Sequence, residues 1–118
     1  MNPHNFETQK EDSICIKSFE EVIQNNFSDS SLTIDRIAIS LSVPRRTLYR
    51  TIKKLTGQSP NQYVIVMRLE AAYVMLNSGL HLKVKEVAAR VGFKKVDYFS
   101  QIFKEKYGVS PVEILRQP

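Results

Sequence analysis

The chain has 118 residues, 42% apolar and 25% charged, with a single cysteine and a formal charge of +5; that suits one domain, or two small units sharing a core. It excludes an internal disulfide and a cysteine metal cluster, and the apolar runs, such as Tyr63 to Met67 and Ala71 to Leu76, are far short of the roughly 20 residues of a membrane span. Residues 1–35 carry seven acids against two lysines, and residues 36–118 carry fifteen Lys/Arg against five acids, so a polyanion is the natural partner of the longer, basic part.

Residues 1–12 are polar and without period, and read as a disordered tail or linker stub. They hold no apolar signal core, which makes the cytoplasm the default location. From Ile14 to Phe27, the residues Cys15, Phe19, Val22, Ile23 and Phe27 recur at helical spacing. Ser13 is placed to cap this helix, and Cys15 reads as core. Asn25, Asn26 and the run Ser28 to Ser31 mark a loop. A short helix over Thr33–Ser40 then carries Ile34, Ile37, Ala38 and Leu41 on one side. Ser42 and Val43 form a turn, and Pro44 suits the first turn of the next helix. That helix is expected to bury Leu48, Ile52 and Leu55 and to stop at Gly57.

Ser59-Pro60-Asn61-Gln62 is a capping box, and the helix it opens runs to about Asn77, with Tyr63, Met67, Leu69, Ala72, Met75 and Leu76 in its stripe. About 19 residues span roughly 28 Å, close to the roughly 34 Å of one turn of B-DNA. The next helix, Val84–Arg90, packs through Val84, Val87, Ala88 and Val91, and Gly92 makes the turn. A helix from Val96 to Tyr107 buries Val96, Phe99, Ile102 and Phe103, and Gly108 stops it. Ser110 to Glu113 is a second capping box, opening a last helix to about Arg116.

Self-comparison organises these pieces. Ile37, Ala38, Leu41 and Val43 match Val87, Ala88, Val91 and Phe93 at an offset of 50. Leu48, Ile52, Lys53, Gly57, Ser59 and Pro60 match Phe99, Phe103, Lys104, Gly108, Ser110 and Pro111 at an offset of 51. The same helix-turn-helix unit therefore occurs twice, over about 33–57 and 83–108. A linker helix over about 59–78 joins the copies, and a final helix covers about 110–116. Residues 13–118 are read as one all-α domain.

In a helix-turn-helix the second helix enters the major groove. One stripe packs on the core, and the opposite stripe must offer donors and positive charge. Opposite Leu48, Ile52 and Leu55 lie Arg46, Tyr49, Arg50 and Lys53, flanked by Arg45 and Lys54. Five of the twelve residues from Pro44 to Leu55 are basic and none is acidic, whereas a merely solvated face usually mixes signs. An arginine can fork onto guanine or a phosphate, and Tyr49 suits a thymine methyl or a phosphate oxygen. The second unit offers Asp97, Ser100, Gln101 and Lys104, with Lys94 and Lys95 at its turn. Gln101 suits adenine and Ser100 a base or a phosphate. Asp97 either accepts from cytosine or simply favours its helix N-terminus. Because this face is less basic, the first unit is expected to supply more of the affinity and the second to tune sequence choice. Arg68 is left with two readings, a phosphate contact or a tie between the units.

His4 and His81 are isolated and read as surface or structural residues. No nucleophile motif, paired acids or phosphate loop is present, so no catalysis, metal or cofactor is expected. The rival reading is an interaction module docking RNA polymerase or a receiver domain. The all-basic face argues against it, since docking usually needs an exposed aromatic or aliphatic cluster.

From about Leu32 to Leu115 the sequence resembles the C-terminal DNA-binding domain of AraC/XylS-type transcription regulators. The resemblance rests on Arg46 to Arg50, Leu55 to Pro60, Arg68-Leu69, Glu86 to Ala88, Val91 to Phe93, Tyr98 to Ser100, Phe103-Lys104 and Gly108 to Pro111. It implies seven helices, with two recognition helices in successive major grooves. It implies base reading by Arg46, Tyr49 and Arg50, with Asp97, Ser100 and Gln101 in the equivalent places. Gln101 departs from a frequent arginine. Lys83 and Lys95 stand where a capping Asp, Ser or Thr is common, at about 1 kcal/mol each. Members of this family normally carry a sensing domain before this one, though some stand alone. The Gly57 to Asn61 stretch and the acidic lead-in are similar to output domains of hybrid two-component sensors, which implies a fragment behind a receiver domain.

Overall fold

A computed structural model describes residues 15–117. The proposed Ser13 cap, His4 and the 1–12 tail lie outside the described residues. Seven helices and no strand occur among the described residues. They are α1 (residues 15–25), α2 (Ile34–Leu41), α3 (Arg45–Thr56), α4 (Pro60–Leu76), α5 (Val84–Arg90), α6 (Val96–Tyr107) and α7 (Pro111–Leu115). No helix among them is long and apolar enough to cross a membrane.

Two compact units share these helices. The first comprises residues 15–26 and 31–65, and the second residues 27–30 and 66–117. The chain of α4 begins in one and ends in the other.

The first unit is built around Phe19 and Ile23 of α1, Ile34, Ile37 and Ala38 of α2, and Leu48 and Ile52 of α3, all buried. Cys15, expected in the core, is only half-buried. Thr33 starts α2 by accepting from the Arg36 N–H at 3.1 Å. Pro44 is the cap of α3, one position before the helix rather than in its first turn, and its carbonyl accepts the first helical bond from Leu48 N–H. Leu55, expected to be buried, is 42% exposed. Its spacing aims it at the core side, but it sits in the last turn of α3, where it is only partly covered. The capping box of α4 forms in both directions, Ser59 N–H to Gln62 Oε1 at 3.0 Å and Gln62 N–H to Ser59 Oγ at 3.2 Å. Glu20 of α1 accepts from the Tyr63 hydroxyl at 2.6 Å.

The second unit packs Leu69, Ala72 and Leu76 of α4 with Val87, Ala88, Val91, Phe99, Phe103 and Ile114, all buried. Val96 and Ile102 are half-buried. An aromatic chain runs through it, from Phe93 and Phe99 (centroids 5.2 Å apart) through Phe103 to Tyr107 (4.6 Å) and on to Tyr73 (4.7 Å). Such contacts add to area burial by about 0.5–1.5 kcal/mol each. Burial, reinforced by Glu70 and Tyr73, raises the pKa of the Tyr107 hydroxyl. At α7 only one of the two expected capping bonds is made, Glu113 N–H to Ser110 Oγ at 3.3 Å.

Candidate nucleic-acid interface

Each unit passes from its first helix to its second through the same backbone turn. Ser42 N–H donates to Ile39 at 3.1 Å and Val43 N–H to Ala38 at 3.0 Å. Fifty residues on, Gly92 N–H donates to Ala89 at 3.1 Å and Phe93 N–H to Ala88 at 2.8 Å. Both pivots are left-handed, with φ of 55° at Ser42 and 91° at Gly92. The repeat read from the sequence is thus a repeat of hydrogen bonds.

The turn delivers α3 with Leu48, Thr51 and Ile52 inward. Arg45, Arg46, Tyr49, Arg50, Lys53 and Lys54 are all exposed, so the structure brings the six onto the outward side of one helix. Asp35 of α2 reaches across the turn, with Oδ1 3.2 Å from Arg45 Nε. Reading charge along α3 alone missed this acid, which lies ten positions away. Both partners are well exposed, so the pair is weak in water.

On α6 the outward side is different. Asp97, Gln101 and Lys104 are exposed, while Ser100 is half-buried and offers less of its hydroxyl. Gln101 Nε2 donates to Glu105 Oε1 at 3.4 Å. Two lysines on α6 face two acids, Asp97 and Glu105, so this helix carries no net charge where α3 carries +5. Lys94 and Lys95 are exposed just before it. Tyr98, half-exposed at the first turn of α6 and edge-on to Phe93 at 6.2 Å, was missing from the sequence-derived set. The signal for it was its place beside Asp97.

Neither recognition helix has a side-chain cap, since α3 starts at Pro44 and α6 at Lys95. Lys83 is likewise the cap of α5. Glu86 accepts from its backbone N–H at 3.3 Å, but a lysine has no acceptor with which to return the bond.

Arg68 is 5% exposed, which removes the phosphate reading. Its Nη1 donates to the carbonyls of Phe27 (2.7 Å) and Val91 (2.6 Å), and Nη2 to that of Asp29 (3.2 Å). Desolvation lowers its pKa below the ordinary arginine value, partly countered by Asp29. The guanidinium occupies the space where a Cβ on residue 92 would stand. Gly92 is therefore required for its missing side chain as well as its φ. His81 is exposed and borders a shallow 580 Å³ cavity between Leu76, Leu80, Lys83 and Ile114 that holds none of the groove-facing residues.

Residues 37–117 match the helix-turn-helix domain family. The transcriptional activator RhaS of Mannheimia succiniciproducens is 35% identical over 92 residues, covering 78% of this chain and 34% of RhaS. The C-terminal domain of AraT, a response regulator from Geobacillus stearothermophilus, is 36% identical with a TM-score of 0.78, over 86% of this chain and 84% of that one. This chain belongs to the AraC/XylS family. The DNA-binding domain of AdpA, a global transcriptional factor solved in complex with a target DNA, has a similar fold, at 25% identity and a TM-score of 0.74, over 84% of this chain and 86% of that one. The chain spans about a third of the length of RhaS.

Proposed function

We propose that this chain binds double-stranded DNA in a sequence-dependent way and regulates bacterial transcription, with α3 and α6 entering successive major grooves and residues 13–118 acting as one DNA-binding domain. The observation that carries the proposal is the outward side of α3, which presents five basic residues and no acid on the second helix of a helix-turn-helix. Arg46 and Arg50 serve as base readers and Tyr49 as a thymine or phosphate contact. Arg45, Lys53 and Lys54 neutralise phosphates, with Asp35 giving up Arg45 on binding. In the second unit Asp97, Ser100 and Gln101 take the base-reading places, with Tyr98 beside them, and Lys94, Lys95 and Lys104 meet the backbone. AdpA, solved with a target DNA, and the activator RhaS support this reading. It assigns the chain no reaction and no cofactor, and it places the chain in the cytoplasm, within reach of RNA polymerase.

Ile39 of α2, 78% exposed, is the best mark for a docking role, but single exposed apolar residues are ordinary. The test is fluorescence anisotropy of a labelled random-pool duplex against salt concentration, with Arg46→Ala/Arg50→Ala alongside. The expected result is affinity that falls steeply with salt and drops about tenfold or more in the double variant. No binding at low salt by a folded chain puts the docking role first.

A further inference from the structure

Arg68 is a buried cation on a helix that carries none of the groove-facing residues. A guanidinium is costly to desolvate, and this one makes charge-assisted bonds, which are among the strongest a side chain offers. All three acceptors are backbone carbonyls. Two, Phe27 and Asp29, lie in the loop after α1, which is part of the second unit. The third is Val91, the last residue of the turn's first half and the cap of α5. The next residue is Gly92, whose bare Cα gives the guanidinium its seat. Lys94 and Lys95 follow at once, and then α6.

We infer that Arg68 is a positioning residue for the second recognition helix: by pinning the Val91 carbonyl and filling the space beside Gly92, it fixes the turn from which Lys94, Lys95 and α6 are aimed. This rests on the DNA-binding reading above. The turn of the first unit has no equivalent. Ser42 carries its own Cβ at the matching position, and α2 is held to α3 by packing and by the exposed Asp35–Arg45 pair. Aim in the second unit therefore depends on one planar, multiply bonded group. A displacement of about 1 Å is enough to spoil a directional contact, so losing that group should cost the contacts made by α6 and spare those made by α3.

The test is a pair of double-mutant cycles on a labelled duplex selected from a random pool by the wild-type protein. Arg68→Lys keeps the charge but cannot reach three divergent carbonyls with one planar fork. It is expected to weaken binding about tenfold. Combined with Gln101→Ala it should add little further loss, because the Gln101 contact is already gone. Combined with Arg50→Ala the two losses should multiply. A purely structural role would lower the melting temperature and leave both cycles multiplicative, and that result overturns the inference. Arg68→Gln, neutral and still a donor, is run in parallel, and whichever variant melts cooperatively carries the cycle. If neither does, amide exchange of the wild-type protein decides. The duplex should then slow exchange at 27–30 together with 92–95, and protection of 92–95 alone overturns the inference. Failure of the wild type to bind the duplex, or of Arg50→Ala to weaken it, would instead strike the DNA-binding reading itself.

Discussion

The two helix-turn-helix units share their turn hydrogen bonds residue for residue and differ in nearly everything they show to solvent. The first turns on Ser42 and leads into a helix of charge +5. The second turns on Gly92 and leads into a helix of no net charge. Buried positions explain the likeness. Ala38 and Ala88 accept the same bond, and Leu48/Ile52 and Phe99/Phe103 fill the same places in the two cores. Outward positions are not bound by packing, so the faces are free to divide the labour. On the proposed reading, the first supplies long-range attraction to phosphate and the second short-range discrimination.

The sharpest way to break this comparison is to put a side chain on the second pivot. Gly92→Ala should cost more than about 3 kcal/mol, because its Cβ would meet both Arg68 and the Phe27 carbonyl. The same change at Gly57 or Gly108, which face open space at similar φ, should cost only about 1–2 kcal/mol. Urea unfolding measures all three, and equal costs would mean that the Arg68 seat is unimportant.

The next effect concerns binding. Arg50→Ala should lower affinity for a selected duplex by about 1–3 kcal/mol, and Gln101→Ala by less, since Gln101 also bonds Glu105. Equal losses in anisotropy titrations would erase the proposed division of labour. A smaller change is expected at the first pivot. Ser42→Gly relieves a left-handed φ and should raise stability by up to about 1 kcal/mol, less what the freer unfolded chain gains. A lower melting temperature would show that the relieved strain is smaller than what the freer unfolded chain gains.

The smallest effect is alkaline. The folded pKa of Tyr107 lies above its unfolded value, so the protonated form is favoured by folding. Its contribution is complete below the unfolded pKa, about 10, and is lost as pH rises through the folded one. Tyr107→Phe should flatten the fall in melting temperature above about pH 10. An unchanged slope would locate that fall elsewhere.

Much of this was legible in the sequence because periodicity reports direction. Helices α5 and α6 run between the residues named for them, and the basic stripe of α3 lies outward as read. What escaped depends on distance through space. Leu55 points the right way but outruns its cover. Asp35 meets Arg45 only because the turn folds α2 back on α3. The role of Arg68 was unreadable because its partners are carbonyls, which every residue possesses. A pattern of side chains cannot announce a bond made to the main chain.

That last property bears on how the domain tolerates change. Five residues meet at the Arg68 joint, yet its hydrogen bonds and packing depend on only two identities, with the Asp29 carboxylate adding a favourable charge. Phe27, Asp29 and Val91 contribute oxygen atoms that any replacement would also supply. Drift at those three positions leaves the joint's bonds in place, while residues 68 and 92 are both fixed, because the guanidinium, the Phe27 carbonyl and a left-handed φ together leave no place for a side chain on residue 92. The second unit can thus vary the residues that read DNA while the device that aims them is held by a two-letter constraint.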